Sequence, residues 1–361
     1  MKRPPNPTIL VINPGSTSTK VAVFQGRRRV FESAVNHPHS VLRKCGGVVA
    51  QAAYRGQVIR RLMKDHGIAL DRVDLFAARG GLLRPIAGGV YAVNEAMLRD
   101  LRACTYGEHA SNLGAILASD LAAQAGRKAN VYIANPVVVD ELAPVARITG
   151  LPEIQRRSIF HALNQKAVAE RAAARLSRPY NRCNLIVAHV GGGISIGVHR
   201  RGRVVDVNNA LEGDGPFTVE RTGGLPLLPF VRHIQAGGLS FDEVRGLVTR
   251  RGGLLAHLGT NDCRLIAQKA QEGDRRHRLV LEAFVYQLAK GIAAGAAVVS
   301  GEVDAIVLTG NVLKSAWIRN RLRHRVKFIA PVWAMAGAFE MQALAGAALD
   351  VYKGKRRAKA Y

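Results

Sequence analysis

The chain lacks any run of about 18 consecutive apolar residues, the length a membrane-crossing helix requires. Its best candidate, Gly291 to Val299, is short and rich in glycine and alanine, and reads as a buried helix. An apolar leader is missing too: Lys2 and Arg3 are followed by Pro4, Pro5 and Pro7, so no signal peptide is expected. Cysteine is scarce. Cys45, Cys104, Cys183 and Cys263 lie far apart with no CxxC pair, which argues against a zinc site or a disulfide framework and for reduced thiols in a cytoplasmic protein. There is no GxxxxGK[ST] phosphate loop. Acidic residues are few, 26 against 52 Lys and Arg, for a net charge of +26. Such a surplus is a known footprint of nucleic-acid or anionic-membrane binding. Here arginine is spread along the whole chain. The short clusters Arg27–Arg29, Arg200–Arg201, Arg275–Arg276 and Lys355–Arg357 fall mostly at expected turns, without interleaved aromatics. Neither nucleic acid nor membrane is therefore expected as a partner. What the chain does have is apolar material, 48% of 361 residues, enough for two ordinary domain cores.

The plan of the chain repeats. Ile9 to Ile12 is an apolar run leading into the small polar loop Asn13 to Lys20, then Val21 to Phe24, a turn at Gln25–Arg27, and the apolar-centred Arg29 to Glu32. Halfway along, Leu185 to Ala188 leads to Gly191–Gly193, then Ile194 to Val198, a turn at His199–Gly202, and Arg203 to Val207. From Ile9 to Leu185 the shift is 176 residues, and from Phe24 to Val198 it is 174. β-Branched runs bounded by glycine and polar loops read as strands, so a near-constant shift points to a duplicated strand–loop–strand unit. Elsewhere the apolar spacing predicts helices over Ser158–Leu176, with Ser158 as N-cap, over Arg278–Val299 and over Phe339–Tyr352. Further strands are expected at Ala305–Leu308 and Lys327–Ala330. Strands alternating with helices imply an α/β architecture of two domains with a cleft as the default ligand site.

Each repeat places a Gly/Ser/Thr-rich loop directly after an apolar strand. Glycine lets a ligand approach the backbone, and successive N–H groups make an anion nest. Ser16, Thr17, Ser18 and Thr19 add hydroxyls, Lys20 a positive charge, and Asn13 an amide that could reach a metal-bound water or a phosphate oxygen. A third glycine turn, Thr309–Gly310–Asn311, ends an apolar strand where a nucleotide could approach. Tight hairpins are also glycine-rich for structural reasons alone; two matching loops in one repeated frame are the stronger sign of an anion site.

The motifs are specific in their wording. NPGSTSTK (Asn13–Lys20) resembles the opening phosphate motif of the acetate and butyrate kinases, the acetokinase family of the sugar kinase, actin and heat-shock ATPase superfamily. Further stretches resemble butyrate kinases in particular: RGGLLRPIAGGVYAVNEAML (Arg79–Leu98), GEHASNLGA (Gly107–Ala115) and RITGLPEIQRRSIFHALNQKAVA (Arg147–Ala169). So do AHVGGGISIGVHRRGRVVDVNNALEGDGPF (Ala188–Phe217) and GGLLAHLGTNDCR (Gly252–Arg264). The resemblance runs nearly end to end and is weakest over residues 34–70 and 311–340.

That resemblance implies a duplicated two-domain actin-like ATPase fold with a ribonuclease H-like motif in each half. Residues 1–155 plus roughly 331–361 would form the acceptor-side domain and 156–330 the nucleotide-binding domain. It implies reversible phosphorylation of a short-chain carboxylate, butyrate or isobutyrate, by ATP with Mg²⁺, in a homodimer or higher homo-oligomer. A carboxylate is already ionised at neutral pH and needs no general base; the demand is for positive charge and positioning around the moving phosphoryl group. By resemblance Arg79 and Arg221 clamp the acceptor and the phosphate, His161 donates to the phosphoryl group, and His109, Asn112, Phe160 and His189 line the cleft. Asn13, Ser16, Ser18, Lys20, Gly191, Gly192 and Gly193 border the phosphates, while Asp262, Arg264, Gly310 and Asn311 approach the nucleoside. Asn13 and Glu340 are the expected metal-side residues. Three positions depart from the family pattern: Asn135 where an acid is usual, Asn311 where a second glycine is usual, and Ala338–Phe339 in place of an acidic run. These departures motivate a second reading, a catalytically weak nucleotide-binding paralogue with a regulatory or scaffolding role.

Overall fold

The computed structural model describes residues 4–126, 130–337 and 339–361. Lys2, Arg3 and Ala338, named above, lie outside the described residues. The chain divides into two compact units, Met1–Val139 with Phe339–Tyr361, and Asp140–Ala338. The first junction falls earlier than residue 156 because residues 140–147 are tied to the second unit. Ala143 N–H donates to Val205 O at 2.8 Å, Glu141 accepts from Lys166 at 2.8 Å, and Val204 N–H also reaches Glu141.

The first unit carries strands β1 (Thr8–Pro14), β2 (Ser18–Gln25), β3 (Arg28–Asn36), β4 (Leu75–Ala78), β5 (Val90–Ala92) and β6 (Val131–Ala134). They form one six-stranded sheet in the order β3-β2-β1-β4-β6-β5. The second unit carries β7 (Asn184–Val190), β8 (Ile194–Arg200), β9 (Arg203–Val207), β10 (Ala305–Gly310) and β11 (Val332–Ala336), a five-stranded sheet ordered β11-β10-β7-β8-β9. The two orders are the same, strand for strand, apart from β5. Both open with an antiparallel meander and continue with parallel strands added beside its first member. Even the irregularity repeats: a register shift lies between Val23 and Phe24 in β2 and between Val198 and His199 in β8. A β-bulge re-aims the strand after it, so both copies turn their third strand in the same way. The duplication read from the sequence is present in the fold.

β1 and β7 are central strands, buried on both faces, which is why they read as continuous β-branched and aliphatic runs rather than as alternating ones. Helices Leu113–Gln124 and Glu340–Tyr352 pack on β1, β4 and β6 in the first core, and Arg275–Ala297 packs on β7 and β8 in the second. Among the described residues, Arg275–Ala297 is the one helix long and apolar enough to cross a membrane by length and composition. Its Leu281, Phe284, Val285, Leu288 and Ile292 are instead buried in the second core.

Two sequence expectations are corrected. Residues 158–160 are not helical; the helix runs Ala162–Arg175 with His161, not Ser158, at its N-cap position. Lys327–Ala330 is not a strand. Helix Ala316–Val326 ends there, Phe328 is exposed, and the strand begins after Pro331, at Val332.

Candidate active site

In the first unit the β1–β2 loop is closed by Gly15 N–H donating to Ser18 O at 2.7 Å. Ser16 and Thr17 are exposed at its tip. Behind it lies Arg55, the largest fully buried side chain in the protein. Its guanidinium donates to the carbonyls of Gly15 (2.9 Å), Ser16 (2.9 Å) and Ser18 (3.0 Å), to Thr19 Oγ1 (3.0 Å) and to Gln51 Oε1 (2.8 Å). Arg55 thus fixes the loop's carbonyls from within, and a loop whose shape is held in this way is the kind of backbone turn that can serve as an anion nest. Thr19 Oγ1 also lies 2.8 Å from His37 Nε2; burial, then the Arg55 charge, lower the His37 pKa to about 4. Sequence reading missed Arg55, one arginine among many in the stretch where the resemblance is weakest.

On the same side of the sheet as Lys20, its cross-strand partner, buried Asn13 donates from Nδ2 to Glu340 Oε2 at 2.6 Å. One carboxylate beside an amide suits Mg²⁺, which keeps waters and phosphate oxygens rather than taking a full protein cage. The described residues contain no cluster of three or more His, Cys, Asp or Glu that could serve as such a cage.

Arg79 follows β4, with its N–H on Ile12 O at 3.0 Å. Gly114 packs so closely on it that a Cβ there would lie 2.2 Å from Arg79 O. Asn112, expected to line a cleft, does not. It is fully buried, its Oδ1 accepting from Leu82 N–H (2.8 Å) and its Nδ2 donating to Gly107 O (2.9 Å), so it staples the glycine turn after Arg79. His109 is exposed and its Nδ1 accepts from Ser111 N–H at 3.2 Å. Asn135 sits at φ +40°, a left-handed conformation that asparagine tolerates. It exchanges hydrogen bonds with Gly89, through its backbone N–H (2.9 Å) and through Oδ1 (2.8 Å).

In the second unit five of the expected residues converge, His161, His189, Gly191, Gly193 and Arg221. The His161 and His189 rings stack with centroids 3.8 Å apart and planes 12° apart. A Cβ on Gly193 would lie 2.5 Å from Arg221 Nη1 and 3.3 Å from His161 Cε1, and one on Gly191 would lie 3.0 Å from His189 Nε2. Glycine is required in this loop because three side chains, Arg221, His161 and His189, stand directly over it. Arg221 Nη1 donates to Ala210 O, and its buried Nε meets no hydrogen-bond partner. Burial lowers the Arg221 pKa, with Glu220 opposing the shift. The loop that carries Arg221 is braced, not flexible. Thr218 N–H donates to Arg221 O, Thr218 Oγ1 accepts from Arg221 N–H, and Gly223 and Gly253 occupy positions where a Cβ would strike backbone. Phe160, next to His161 in sequence, is buried and presents little surface.

Beside it opens a cavity of about 620 Å³ lined by Gly192, Val219, Asp262, Arg264, Asn311 and Lys314, among others. Asp262 also caps helix Cys263–Gln271 by accepting from Arg264 N–H at 2.9 Å. Burial pushes the Cys263 thiol in the wall up to about 11, so it is no nucleophile. Gly310, at φ +106°, is pressed against Val190 O, where no side chain fits. Asn311 is right-handed (φ −73°) and exposed, so replacing the usual glycine there strains nothing.

Butyrate kinase 1 of Clostridium acetobutylicum is 44% identical over 353 residues, covering 98% of this chain and 99% of that one. The acetokinase family model matches residues 152–334. The chain belongs to the acetokinase family. A second relative, the probable butyrate kinase of Oleidesulfovibrio alaskensis, is 45% identical over 364 residues, with 98% of each chain covered. Two solved structures share this acetokinase's fold. Acetate kinase from Porphyromonas gingivalis gives a TM-score of 0.77 at 16% identity, over 96% of this chain and 100% of that one. A propionate kinase from Francisella tularensis gives 0.71 at 19%, over 94% and 98%. The duplicated two-sheet architecture is thus the acetokinase fold.

Proposed function

We propose that this acetokinase transfers a phosphoryl group reversibly between ATP and a short-chain carboxylate, butyrate or isobutyrate, giving the acyl phosphate and ADP. The observation that carries the reading is the meeting of Arg221, His161 and His189 over a glycine loop whose Gly192 also borders the 620 Å³ cavity. A phosphoryl group seated at that loop has a guanidinium and imidazole donors beside it and room for a nucleoside next door. A carboxylate oxygen attacks the γ-phosphorus, the new O–P bond forms as the bond to the β-phosphate oxygen breaks, and ADP departs with that electron pair. Arg221 and His161 stabilise the charge on the moving group. Arg79 holds the acceptor carboxylate, and the loop Gly15–Ser18 with Lys20 binds phosphate oxygens. Asn13 and Glu340 would hold Mg²⁺, which would neutralise charge on the phosphates. Asn135 and Asn311, which depart from the family pattern, are accommodated without strain and block neither loop.

Colorimetric detection of acyl phosphate as its hydroxamate tests the reading, with ATP, Mg²⁺ and acetate, propionate, butyrate or isobutyrate. Butyrate and isobutyrate should give the highest kcat/KM. ATP binding without acyl phosphate from any acceptor would sink the proposal. A cytoplasmic homo-oligomer belongs to the same reading. Its support is helix Leu227–Gly237, in which no residue is buried and Leu227 and Leu228 are 78% and 69% exposed. Sedimentation of Leu228→Arg should show a smaller species than the parent.

A further inference from the structure

The fold decides which ring nitrogen of His161 carries a proton. Gln165 Nε2 donates to the Ser195 carbonyl (3.0 Å) and to Ser195 Oγ (2.8 Å). A carbonyl can only accept, so the NH₂ end of Gln165 is fixed toward Ser195 and its Oε1 toward His199. His199 Nε2, 3.0 Å from that oxygen, must then carry a proton, leaving Nδ1 to accept from the Tyr180 hydroxyl at 2.6 Å. His199 is fully buried; burial, and then the Lys166 charge, hold its pKa well below the usual range, so one of its nitrogens stays bare. Lys166 is itself paired with Glu141 at 2.8 Å. Burial pushes the Tyr180 phenol well above its ordinary value, so it keeps its proton to donate. Gly197 makes room for the amide, since a Cβ there would lie 2.3 Å from Gln165 Oε1.

At the other end, Ser195 Oγ accepts from Gln165 and from the His161 backbone N–H (3.4 Å). Its own hydrogen is left to donate to His161 Nδ1, 2.9 Å away. Each link points the same way, from Tyr180 through His199, Gln165 and Ser195 to His161. The stacked neighbour is set by a separate chain. Thr309 Oγ1 donates to Gly337 O (3.2 Å) and accepts from Asn164 Nδ2 (3.1 Å), whose other hydrogen goes to His189 Nδ1 (2.9 Å). Each chain is anchored on a backbone carbonyl, Ser195 O at Gln165 in the first and Gly337 O at Thr309 in the second, and a carbonyl can only accept.

We propose that Tyr180, His199, Gln165 and Ser195 form a one-way hydrogen-bond relay that holds His161 as a neutral Nε2–H donor beside Gly193 and Arg221. Tyr180, His199 and Gln165 are positioning residues, acting on the transferring phosphate only through His161. The use of that donor rests on the phosphotransfer reading; the tautomer itself does not.

The test is a long-range ¹H–¹⁵N spectrum of the full-length protein labelled at histidine, with His161 and His189 assigned by substitution, alongside steady-state kinetics. The parent should show a bare Nδ1 and a protonated Nε2 at both residues. In Gln165→Glu the carboxylate takes the Ser195 hydrogen, so His161 should switch to Nδ1–H. With that switch kcat should fall about 100-fold, the loss of one transition-state donor, while KM for ATP changes little. Ser195→Ala is the second variant should Gln165→Glu fail to fold, and should give mixed His161 tautomers with reduced kcat. An Nδ1–H signal at His161 in the parent overturns the relay. So does a Gln165→Glu or Ser195→Ala protein that keeps the parent's tautomer, whereas one that changes tautomer without losing kcat overturns the use of Nε2–H as the donor. If the tautomers are as expected but no carboxylate is phosphorylated by the parent, the relay stands and the functional reading falls.

Discussion

Replacing Arg55 by methionine isolates what a buried cation does for the first phosphate loop. Methionine keeps much of the stem's volume but donates nothing. The Gly15 carbonyl and Gln51 Oε1 then lose their donor, while Ser18 O keeps Gly15 N–H and Thr19 Oγ1 keeps His37. Ser16 is exposed, so water can serve its carbonyl. An abandoned buried acceptor costs about 1–3 kcal/mol, and bonds from a charged donor sit at the upper end. Loss of the buried charge's own desolvation penalty offsets part of this. The balance is on the order of 4 kcal/mol, a large share of an ordinary domain's stability. For a unit of this size that should appear as a fall in melting temperature of roughly 10 °C by calorimetry. In kinetics, KM for ATP should rise severalfold, because the loop loses the donor that fixes its shape. Arg55→Lys should recover only part, since an ammonium cannot reach carbonyls on both sides of the turn. An Arg55→Met protein with the parent's melting temperature and KM for ATP would refute the reasoning.

Arg221→Ala should lower kcat by about 100-fold or more with Arg221→Lys rescuing little, whereas near-normal turnover in the alanine variant would remove Arg221 from the mechanism. Gly193→Ala should mimic the loss of Arg221 at nearly unchanged melting temperature, because its new Cβ displaces the guanidinium rather than the backbone. Asn135→Asp should raise kcat at fixed Mg²⁺ while leaving stability alone, since Asp keeps the acceptor for Gly89 N–H and tolerates φ +40°. Unchanged kinetics would make Asn135 a bystander. His37 titrates near 6.5 when unfolded and at about 4 when folded, so the folded state resists its protonation. Its contribution is fully present above pH 6.5 and is lost as pH falls toward 4, on the order of 3 kcal/mol. His37→Gln should flatten that acid limb in urea titrations.

The repeat was legible because it lives in short local patterns: β-branched runs, glycine loops and turns at nearly fixed spacing. The second-unit cluster was legible through its motif wording, and the structure brings Gly193, His161, His189 and Arg221 together. The errors have local causes. Ser158 looks like a cap, but the chain stays irregular through a bend at Phe160, which is buried, and the helix starts only at Ala162. Lys327–Ala330 looks like a strand because Phe328 and Ile329 are apolar, yet Pro331 separates them from the run that pairs with β10. Asn112 carries the right amide in the right motif and spends it on backbone. Arg55, Gln165 and His199 gave no signal at all. Their roles depend on contacts across 30 residues or more, which no periodicity records.

The hydrogen bond from Asn13 to Glu340 joins residues 327 positions apart. As the chain leaves the ribosome, the first unit to start is therefore the last to finish. Its strands β1, β4 and β6 emerge early, but the helix that covers them, Glu340–Tyr352 with buried Met341, Leu344, Ala345, Ala348 and Leu349, follows only after the whole second unit has been made. The second unit, contiguous in sequence, can close before it. For most of translation the first sheet waits with an open apolar face, a natural client for a chaperone. Nascent chains stalled before residue 340 should accordingly resist protease across 140–337 sooner than across the first unit.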